Sequence, residues 1–272
     1  MNDELEFTVI SDIHYYSKKN FVDGFDKNKK PKPGQLFFSR SEEIVEHTFD
    51  CLCKNDTPDI VLISGDLTYN GERTSHDEMK AALKKLQQKG KRVYVITATH
   101  DYTTPRMPTY GIDKNDKYIE VESVKRTQLL KYYGDFGYNN AIAKHKSTMS
   151  YVAQLADGYR LFALNDDYGD PDCGFSDELM NWVKTEANNA KRDGQYIIAM
   201  THHPLVPPSP IYTAVAKGDM LNDYELRSKQ LSDLGFDFVL TGHTHMHNIS
   251  YCKIGNKKFY DISTAALTGF PP

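Results

Sequence analysis

The chain has 272 residues and an ordinary globular composition, with 39% hydrophobic and 26% charged residues. This length and composition predict one large domain with a substantial core, spanning residues 1–272. The chain carries 33 Lys and Arg against 37 Asp and Glu, a formal net charge of −4. A protein that binds nucleic acid by neutralising phosphates is usually basic, so no nucleic-acid partner is expected.

The cysteines and the apolar segments bear on the cellular compartment. Four cysteines, Cys51, Cys53, Cys173 and Cys252, are too few and too scattered for a disulfide framework. No apolar run approaches the roughly 20 residues of a membrane helix, and residues 1–6 do not resemble a signal peptide. We therefore expect no membrane span and a cytoplasmic protein, or an exported one if a leader has been removed before Met1.

Short β-branched runs alternate with helical patterns along the chain, which is typical of an α/β protein. Strands are predicted at 7–11, 59–64, 92–97, 160–165, 196–201 and 237–241, and a hairpin at 248–254 and 257–262. Helices are predicted at 41–54 and 76–89, behind the capping-box pairs Ser39/Glu42 and Ser75/Glu78, and a third from Ser176. Residues 263–272 suggest a further strand, which favours a natural chain that continues beyond Pro272.

Polar residues of the metal-ligand type follow five of the six strands that precede the hairpin. These segments are Asp12-Ile13-His14, Gly65-Asp66, Thr99-His100-Asp101, His202-His203-Pro204 and Gly242-His243-Thr244-His245. Ligands of open α/β sheets bind beyond the carboxyl ends of the strands, so we expect these side chains to converge. Seven of the ten histidines lie in or just after these segments, more than chance would place there.

The chemistry of this set favours an open catalytic metal site. Asp and neutral His suit zinc, iron and manganese, and no cysteine follows a strand end, which argues against a structural zinc site. Asp12 and His14 would point the same way along an extended chain and grip one ion. Asp66 has two carboxylate oxygens and could bridge a pair. Two ions together would activate a water, clamp phosphoryl oxygens and offset the charge of a phosphate-ester transition state.

His100 follows a strand end without being needed as a ligand. It could therefore protonate the departing oxygen as a general acid. The adjacent carboxylate, Asp101, would orient the imidazole or favour its charged form.

The five motifs together resemble those of the calcineurin-like metallophosphoesterase superfamily, in the same order and across residues 12–245. The resemblance implies a four-layer αββα sandwich, with two mixed sheets flanked by helices, and a dinuclear centre of Mn, Fe or Zn ions. Carried over by residue, it gives one ion Asp12, His14, Asp66 and His245. It gives the other ion Asp66, His202, His243 and position 99, with His100 as the acid on the substrate side.

One position departs from the family pattern. The third motif normally contains Gly-Asn-His-Asp, with the Asn amide oxygen as a ligand, whereas this chain has Ala98-Thr99-His100-Asp101. Three interpretations stay open: water fills the gap, Thr99 coordinates directly, or the substitution has reduced the activity. A Thr hydroxyl is a weaker metal ligand than an Asn amide oxygen, and the Thr side chain is one atom shorter. We therefore predict that the second ion is the more labile one.

Two insertions begin directly after ligand segments, at residues 15–38 and 102–121. The first contains six Lys and several aromatic residues. Such stretches are often solvated loops, but long loops at a site also determine substrate choice. The sequence does not decide which insertion contacts the alcohol side of an ester.

The expected substrate is a small phosphorylated molecule, because the metal site supplies positive charge locally. The resemblance slightly favours a phosphodiesterase over a phosphomonoesterase. The alternative is a non-catalytic metal-binding domain that recognises a phosphorylated ligand, with Thr99 as the mark of lost activity. The presence of His100 and Asp101 argues against it, since binding alone needs no acid. The sequence does not indicate an oligomeric state.

Overall fold

The computed structural model describes residues 4–23, 36–54, 56–105, 107–167 and 173–269. Its strands are β1 (Thr8–Ile10), β2 (Ile60–Ser64), β3 (Arg92–Ile96), β4 (Tyr110–Ile112), β5 (Tyr118–Glu120), β6 (Ala143–His145), β7 (Ser150–Ala156), β8 (Tyr159–Ala163), β9 (Tyr196–Met200), β10 (Phe238–Thr241), β11 (Asn248–Ile254) and β12 (Lys257–Ser263). Its helices are α1 (Ser41–Leu52), α2 (Arg73–Gln88), α3 (Leu129–Tyr133), α4 (Asp177–Arg192), α5 (Tyr212–Val215) and α6 (Tyr224–Leu234).

Two sheets form the centre of the fold. The smaller has the order β1-β2-β3 and is parallel throughout. The larger has the order β11-β12-β10-β9-β8-β7-β6, with a parallel centre from β8 to β12 and antiparallel strands at both edges. Strands β4 and β5 form a separate hairpin.

The core divides on the two faces of the larger sheet, because successive strand residues point to opposite sides. Along β8, Leu161 and Ala163 face the smaller sheet and helices α1 and α2 beyond it. Phe162 faces the other way, toward α4 and α6. The layers are therefore helices, sheet, sheet and helices, which confirms the predicted αββα sandwich.

The eight strands predicted from sequence are all confirmed, with ends that differ by at most two residues. Helices α1, α2 and α4 are confirmed as well, and Ser176 caps α4 as predicted by accepting a hydrogen bond from the Leu179 backbone N–H. No helix in the described part of the chain has the length and apolarity needed to cross a membrane.

Both predicted capping boxes are wrong. Helix α2 begins earlier, at Arg73, so Ser75 lies within its first turn and accepts a hydrogen bond from the backbone N–H of Ser17. Helix α1 begins after Arg40, which makes no side-chain cap. In the first turns of the two helices, Ser41 and Ser75 instead accept hydrogen bonds from the backbone N–H groups of Tyr16 and Ser17, in the chain that follows β1.

The residues after β12 do not form the further strand that the sequence suggests. Ala266 makes a single parallel bridge to Ser11 and Gly269 a single antiparallel bridge to Leu36, while residues 270–272 lie outside the described part. This segment packs beside β1, where the backbone N–H of Leu267 donates to the carbonyl of Ser11.

Candidate metal centre

The carboxyl ends of β1, β2, β3, β9 and β10 bring the predicted ligand residues into one buried cluster. Asp12, His14 and His245 form one group whose ligand atoms lie within 4.8 Å of one another, and Asp66, His202 and His243 form a second. His14 and Asp66 also form a group of this kind with His100. Asp66 belongs to both neighbourhoods, because its Oδ2 lies 3.1 Å from His202 Nε2 and 3.7 Å from His14 Nε2. The predicted convergence at the strand ends is confirmed.

Five of these residues have backbone conformations that non-glycine residues rarely adopt. The φ angles lie between 45° and 66° for Asp12, His14, Asp66, His243 and His245. The chain is therefore not extended between Asp12 and His14 as the spacing argument required, although both side chains still reach the same ligand group. Such left-handed conformations cost free energy and persist only where surrounding contacts enforce them, often at functional sites.

Hydrogen bonds between the strand ends enforce these conformations. The His14 N–H donates to the carbonyl of Asp66 at 2.9 Å, and the Gly242 N–H donates to the carbonyl of His202 at 3.0 Å. The His243 N–H donates to Asp12 Oδ2 at 2.9 Å, which joins the first strand to the last ligand loop. The two sheets are thus cross-linked directly at the cluster.

Two glycines leave the space that these contacts need. A Cβ on Gly65, whose φ is +103°, would lie 2.7 Å from Ala98 Cβ and 2.8 Å from His202 Nδ1. A Cβ on Gly242 would overlap Ser11 and the carboxylate of Asp12. The glycines of the Gly-Asp and Gly-His motifs therefore allow the ligand loops to approach closely.

The donor set fits metal ions. His14 Nδ1 and His202 Nε2 are buried without a hydrogen-bond partner in the described structure. His202 donates its Nδ1–H to the carbonyl of Ser64 at 2.8 Å, which aims Nε2 at Asp66. His14 Nε2 and His245 Nε2 face each other at 3.0 Å, beside the Asp12 carboxylate. Converging imidazole and carboxylate donors are the ligands expected for zinc, iron or manganese.

The electrostatics of the buried cluster hold most ligands in their binding forms. Burial tends to raise the pKa of Asp66, but the adjacent His202 and His100 hold it well below its usual range. Burial lowers the pKa of His14 to about 3, so that its ring is neutral. Burial also tends to lower the pKa of His202, but the Asp66 and Asp12 carboxylates outweigh it and raise the value to about 10. His202 must therefore release a proton when it binds a metal.

His100 stands beside the cluster with one ring nitrogen engaged. Its Nδ1 lies 2.6 Å from the carbonyl oxygen of Tyr69 and 2.8 Å from Asn70 Oδ1. A carbonyl oxygen only accepts, so Nδ1 carries a proton and Nε2 is left to interact with a substrate. The His100 ring makes an edge contact with the His14 ring, with centroids 4.7 Å apart.

Asn70 is a site residue that the sequence analysis missed. It lies four residues after Asp66, in the loop that joins β2 to α2, and its own carbonyl accepts a hydrogen bond from Thr109 Oγ1. A polar residue that follows a ligand within one loop was the available signal. Asn is common in surface turns, so the sequence alone did not single out this residue.

Asp101 does not orient the His100 ring as expected. Its carboxylate accepts hydrogen bonds from the backbone N–H groups of Thr68 and Ala98, both at 2.9 Å. Thr99–Asp101 form a single 3-10 turn, in which consecutive side chains diverge by about a third of a turn. Asp101 therefore points into the protein, where burial raises its pKa to about 8, and it holds the loop that carries His100.

The remaining polar residues near the cluster support its loops. Asp166 Oδ2 accepts hydrogen bonds from the His203 N–H at 2.7 Å and Thr201 Oγ1 at 2.9 Å, and it lies 3.2 Å from His203 Nδ1. The His203 ring packs against the His243 ring, with centroids 4.1 Å apart. Thr99 lies half-buried in the same turn as His100. Its coordination stays a prediction.

Comparison with known proteins agrees with this geometry. The family model of calcineurin-like phosphoesterases matches residues 5–247. No curated protein sequence matches the chain significantly. A dimetal phosphatase from Danio rerio has a similar structure, with 12% identity and a TM-score of 0.65, covering 97% of this chain and 88% of that one. The phosphopantetheinyl hydrolase of Mycobacterium tuberculosis is 11% identical with a TM-score of 0.45, covering 97% of this chain and 91% of that one.

The match with the family model takes in nearly the whole chain and all five motifs. The Danio rerio phosphatase is only 12% identical, so its likeness shows the fold alone. The chain belongs to the calcineurin-like phosphoesterase family and is a metal-dependent phosphoric ester hydrolase.

Proposed function

We propose that this protein hydrolyses small phosphate diesters at a centre of two transition-metal ions, Mn, Fe or Zn. The observation that carries the proposal is the position of Asp66. Its carboxylate lies between the group of His14, Asp12 and His245 and the group of His202 and His243. With a single bound ion, one of these two groups of ligand side chains would hold no metal.

The ligand assignment follows from the two groups. One ion would be held by Asp12, His14, Asp66 and His245, and the other by Asp66, His202 and His243. When bound, the pair supplies Lewis acidity for the phosphoryl oxygens and an activated water. The fourth protein ligand of the second ion is Thr99 or is replaced by water.

His100 is the general acid in this proposal. Tyr69 and Asn70 hold its Nδ1 proton, so Nε2 is the nitrogen that gives a proton to the departing alcohol oxygen. The His100 backbone N–H donates to Asp66 Oδ1 at 2.9 Å, which ties the acid to the bridging carboxylate. Asp101 is a positioning residue, because it contacts the loop and not the imidazole.

Two lysines at the start of the first insertion bear on the choice between ester types. Lys18 and Lys19 pair with Glu42 of α1 and Glu78 of α2 at 3.3 Å and 3.0 Å. Within the described part of this insertion, both lysines are therefore already paired with helix carboxylates. This supports a substrate with the single negative charge of a diester over one with the additional charge of a monoester.

Hydrolysis of bis(p-nitrophenyl) phosphate and of p-nitrophenyl phosphate by metal-loaded protein tests the proposal. We expect kcat/KM to be higher for the diester. His202→Ala should lower it by more than the 10- to 100-fold that loss of an outer-shell partner typically costs. His47→Ala, at a position on α1 outside the cluster, should leave it unchanged.

Lack of hydrolysis of both esters by protein with two bound ions would contradict the proposal. If Thr99→Asn then restored turnover, the protein would be a binding domain that has lost its activity. A higher kcat/KM for the monoester would retain the hydrolase and overturn the diester preference.

A further inference from the structure

Beside the metal centre, the loop that joins β2 to α2 and the second insertion form a row of aromatic rings. We call the rings of Tyr69, Tyr110 and Tyr118 the aromatic wall. Tyr69 and Tyr110 meet edge to face with centroids 6.1 Å apart, and Tyr110 lies against Tyr118 at 4.2 Å. Tyr118 is 56% exposed, whereas Tyr69 and Tyr110 are half-buried. The wall therefore runs from the interior to the surface.

Contacts from both insertions fix the wall in place. Tyr16 and Phe38 of the first insertion pack behind Tyr69, with centroid distances of 5.7 Å and 5.6 Å. The Tyr16 hydroxyl donates to the carbonyl of Tyr110 at 3.0 Å, and so joins the first insertion to β4 of the second. Burial raises the pKa of the Tyr16 and Tyr110 hydroxyls above the usual range, so both stay protonated and neutral.

The inner end of the wall touches the acid and one metal group. The carbonyl of Tyr69 accepts the Nδ1 proton of His100 at 2.6 Å. The Tyr69 ring also lies edge-on to the His14 ring, with centroids 6.4 Å apart. The inner end of the wall therefore adjoins both the residue proposed as the acid and one metal-ligand ring.

The reaction geometry identifies which part of the substrate meets the wall. In an in-line displacement, water forms a bond to phosphorus while the opposite bond from phosphorus to the alcohol oxygen breaks. The alcohol oxygen takes the proton from His100 Nε2, and solvent returns a proton to the imidazole. The products are a monoester and an alcohol, and the alcohol lies on the side of His100.

From this juxtaposition we propose that the aromatic wall selects diesters whose leaving alcohol carries a flat aromatic ring, as a nucleoside does. The proposal rests on the proposed function, because it places the alcohol beside His100. Neutral aromatic faces stack on planar rings with little regard to substituents. In the described part of the first insertion, Lys18 and Lys19 pair with helix carboxylates, which agrees with recognition of a neutral ring.

A pair of substrates isolates the contribution of the ring. Methyl adenosine-5′-yl phosphate and methyl ribos-5-yl phosphate have the same scissile oxygen and differ in the base alone. We expect release of adenosine to exceed release of ribose by about 10- to 100-fold in kcat/KM, the range that stacking of one base gives. The difference should lie mainly in KM.

Variants of the outermost ring locate the effect. Tyr118→Ala should reduce the preference for the adenosine ester at least about fivefold, whereas Tyr118→Phe should keep that preference. Tyr196→Ala is the matched control, because Tyr196 is 70% exposed and begins β9 at the end remote from His202. Its preference should equal that of the wild-type protein.

The outcomes separate this inference from the proposed function. If bis(p-nitrophenyl) phosphate is hydrolysed but the two methyl diesters react equally, the inference is overturned and the phosphodiesterase stands. A preference that survives in Tyr118→Ala also overturns it. If no diester is hydrolysed, the proposed function fails. Calorimetric binding of the same two diesters then decides the inference, which is overturned if their affinities are equal.

Discussion

At the scale of single residues, two neighbours hold the Nδ1 proton of His100, the proposed general acid. Its Nδ1 lies against the Tyr69 carbonyl and the carbonyl oxygen of the Asn70 side chain, and its backbone is tied to Asp66. The imidazole therefore has one orientation, in which Nε2 is left for a substrate. In the proposed function, this nitrogen protonates the departing oxygen.

Replacement of His100 tests that assignment. We expect His100→Asn to lower kcat by about 10²- to 10⁴-fold for a diester with an alkyl leaving group, the usual contribution of a general acid. The loss should be much smaller for p-nitrophenol, which departs without needing a proton. Steady-state kinetics with both leaving groups provide the measurement. Equal losses would indicate that His100 acts in some other way, for example as a ligand.

We predict that Thr99 makes the second ion the more labile one. Wild-type protein exposed to a mild chelator should lose one of its two ions well before the other, because a hydroxyl binds more weakly than an amide oxygen. Thr99→Asn should slow the loss of that ion. Elemental analysis of both proteins during dialysis measures the number of ions retained per chain. Equal retention of the two ions by the wild-type protein would contradict the prediction.

A site residue was predictable from sequence where its position directly after a strand determines its role. It was not predictable where the role depends on turn geometry or on a contact with a distant residue. Asp12, Asp66, His202 and His243 follow strands directly, so the rule for strand ends located them. Asp101 lies beside His100 as predicted, but the predicted contact of its carboxylate with the His100 ring was wrong. A 3-10 turn separates neighbouring side chains by an angle that sequence spacing does not show. Asn70 was missed because its role arises from a contact across 30 residues.

At the scale of elements, the glycine turns after β2 and β10 determine how closely the ligand loops approach. Gly65 combines a positive φ with a lack of space for a Cβ. Gly90 has a similar φ of +91° but nothing within 4 Å of its ideal Cβ. A substitution at Gly90 therefore tests backbone strain alone, whereas one at Gly65 tests backbone strain together with steric crowding.

Alanine at these two glycines gives a matched comparison. Gly90→Ala should cost about 1–2 kcal/mol of unfolding free energy, from the left-handed conformation alone. Gly65→Ala should cost more by roughly 1–3 kcal/mol, because it also displaces Ala98 and His202, and it should weaken metal binding. Urea unfolding and metal titration of both variants measure these effects. Equal costs would mean that the crowding at Gly65 is relieved without consequence.

The elements that sequence predicted are those with strong, local signals. The β-branched strands and helices α1, α2 and α4 carry clear periodicity, and all were found. Strands β4 and β5 have three residues each within an insertion, too short for a pattern. Helix α6 was missed because Asp223 before it has a left-handed φ of 55° and makes no side-chain cap.

At the scale of the whole molecule, the four layers bury polar groups as well as apolar ones. Glu72 precedes α2 and is fully buried, and burial raises its pKa from 4.5 to about 7. The folded state then binds more protons than the unfolded state between these two values. Glu72 therefore lowers the stability progressively as the pH rises from about 4.5 to 7.

Glu72→Gln removes this ionisation. We expect the variant to gain roughly 1–3 kcal/mol of unfolding free energy over the wild-type protein between pH 4.5 and pH 8, since each pKa unit corresponds to about 1.4 kcal/mol. Urea unfolding at both pH values measures the difference. The exposed Glu6→Gln should show no such dependence. A constant difference between Glu72→Gln and wild-type protein would contradict the buried ionisation.

The two sheets meet so that one edge of the sandwich holds both ligand groups around Asp66. Elemental analysis of never-chelated protein, combined with its rate of diester hydrolysis, tests this most directly. We predict two transition-metal ions per chain, and an activity that falls as the second ion is removed. A fully active protein with one ion per chain would contradict the account.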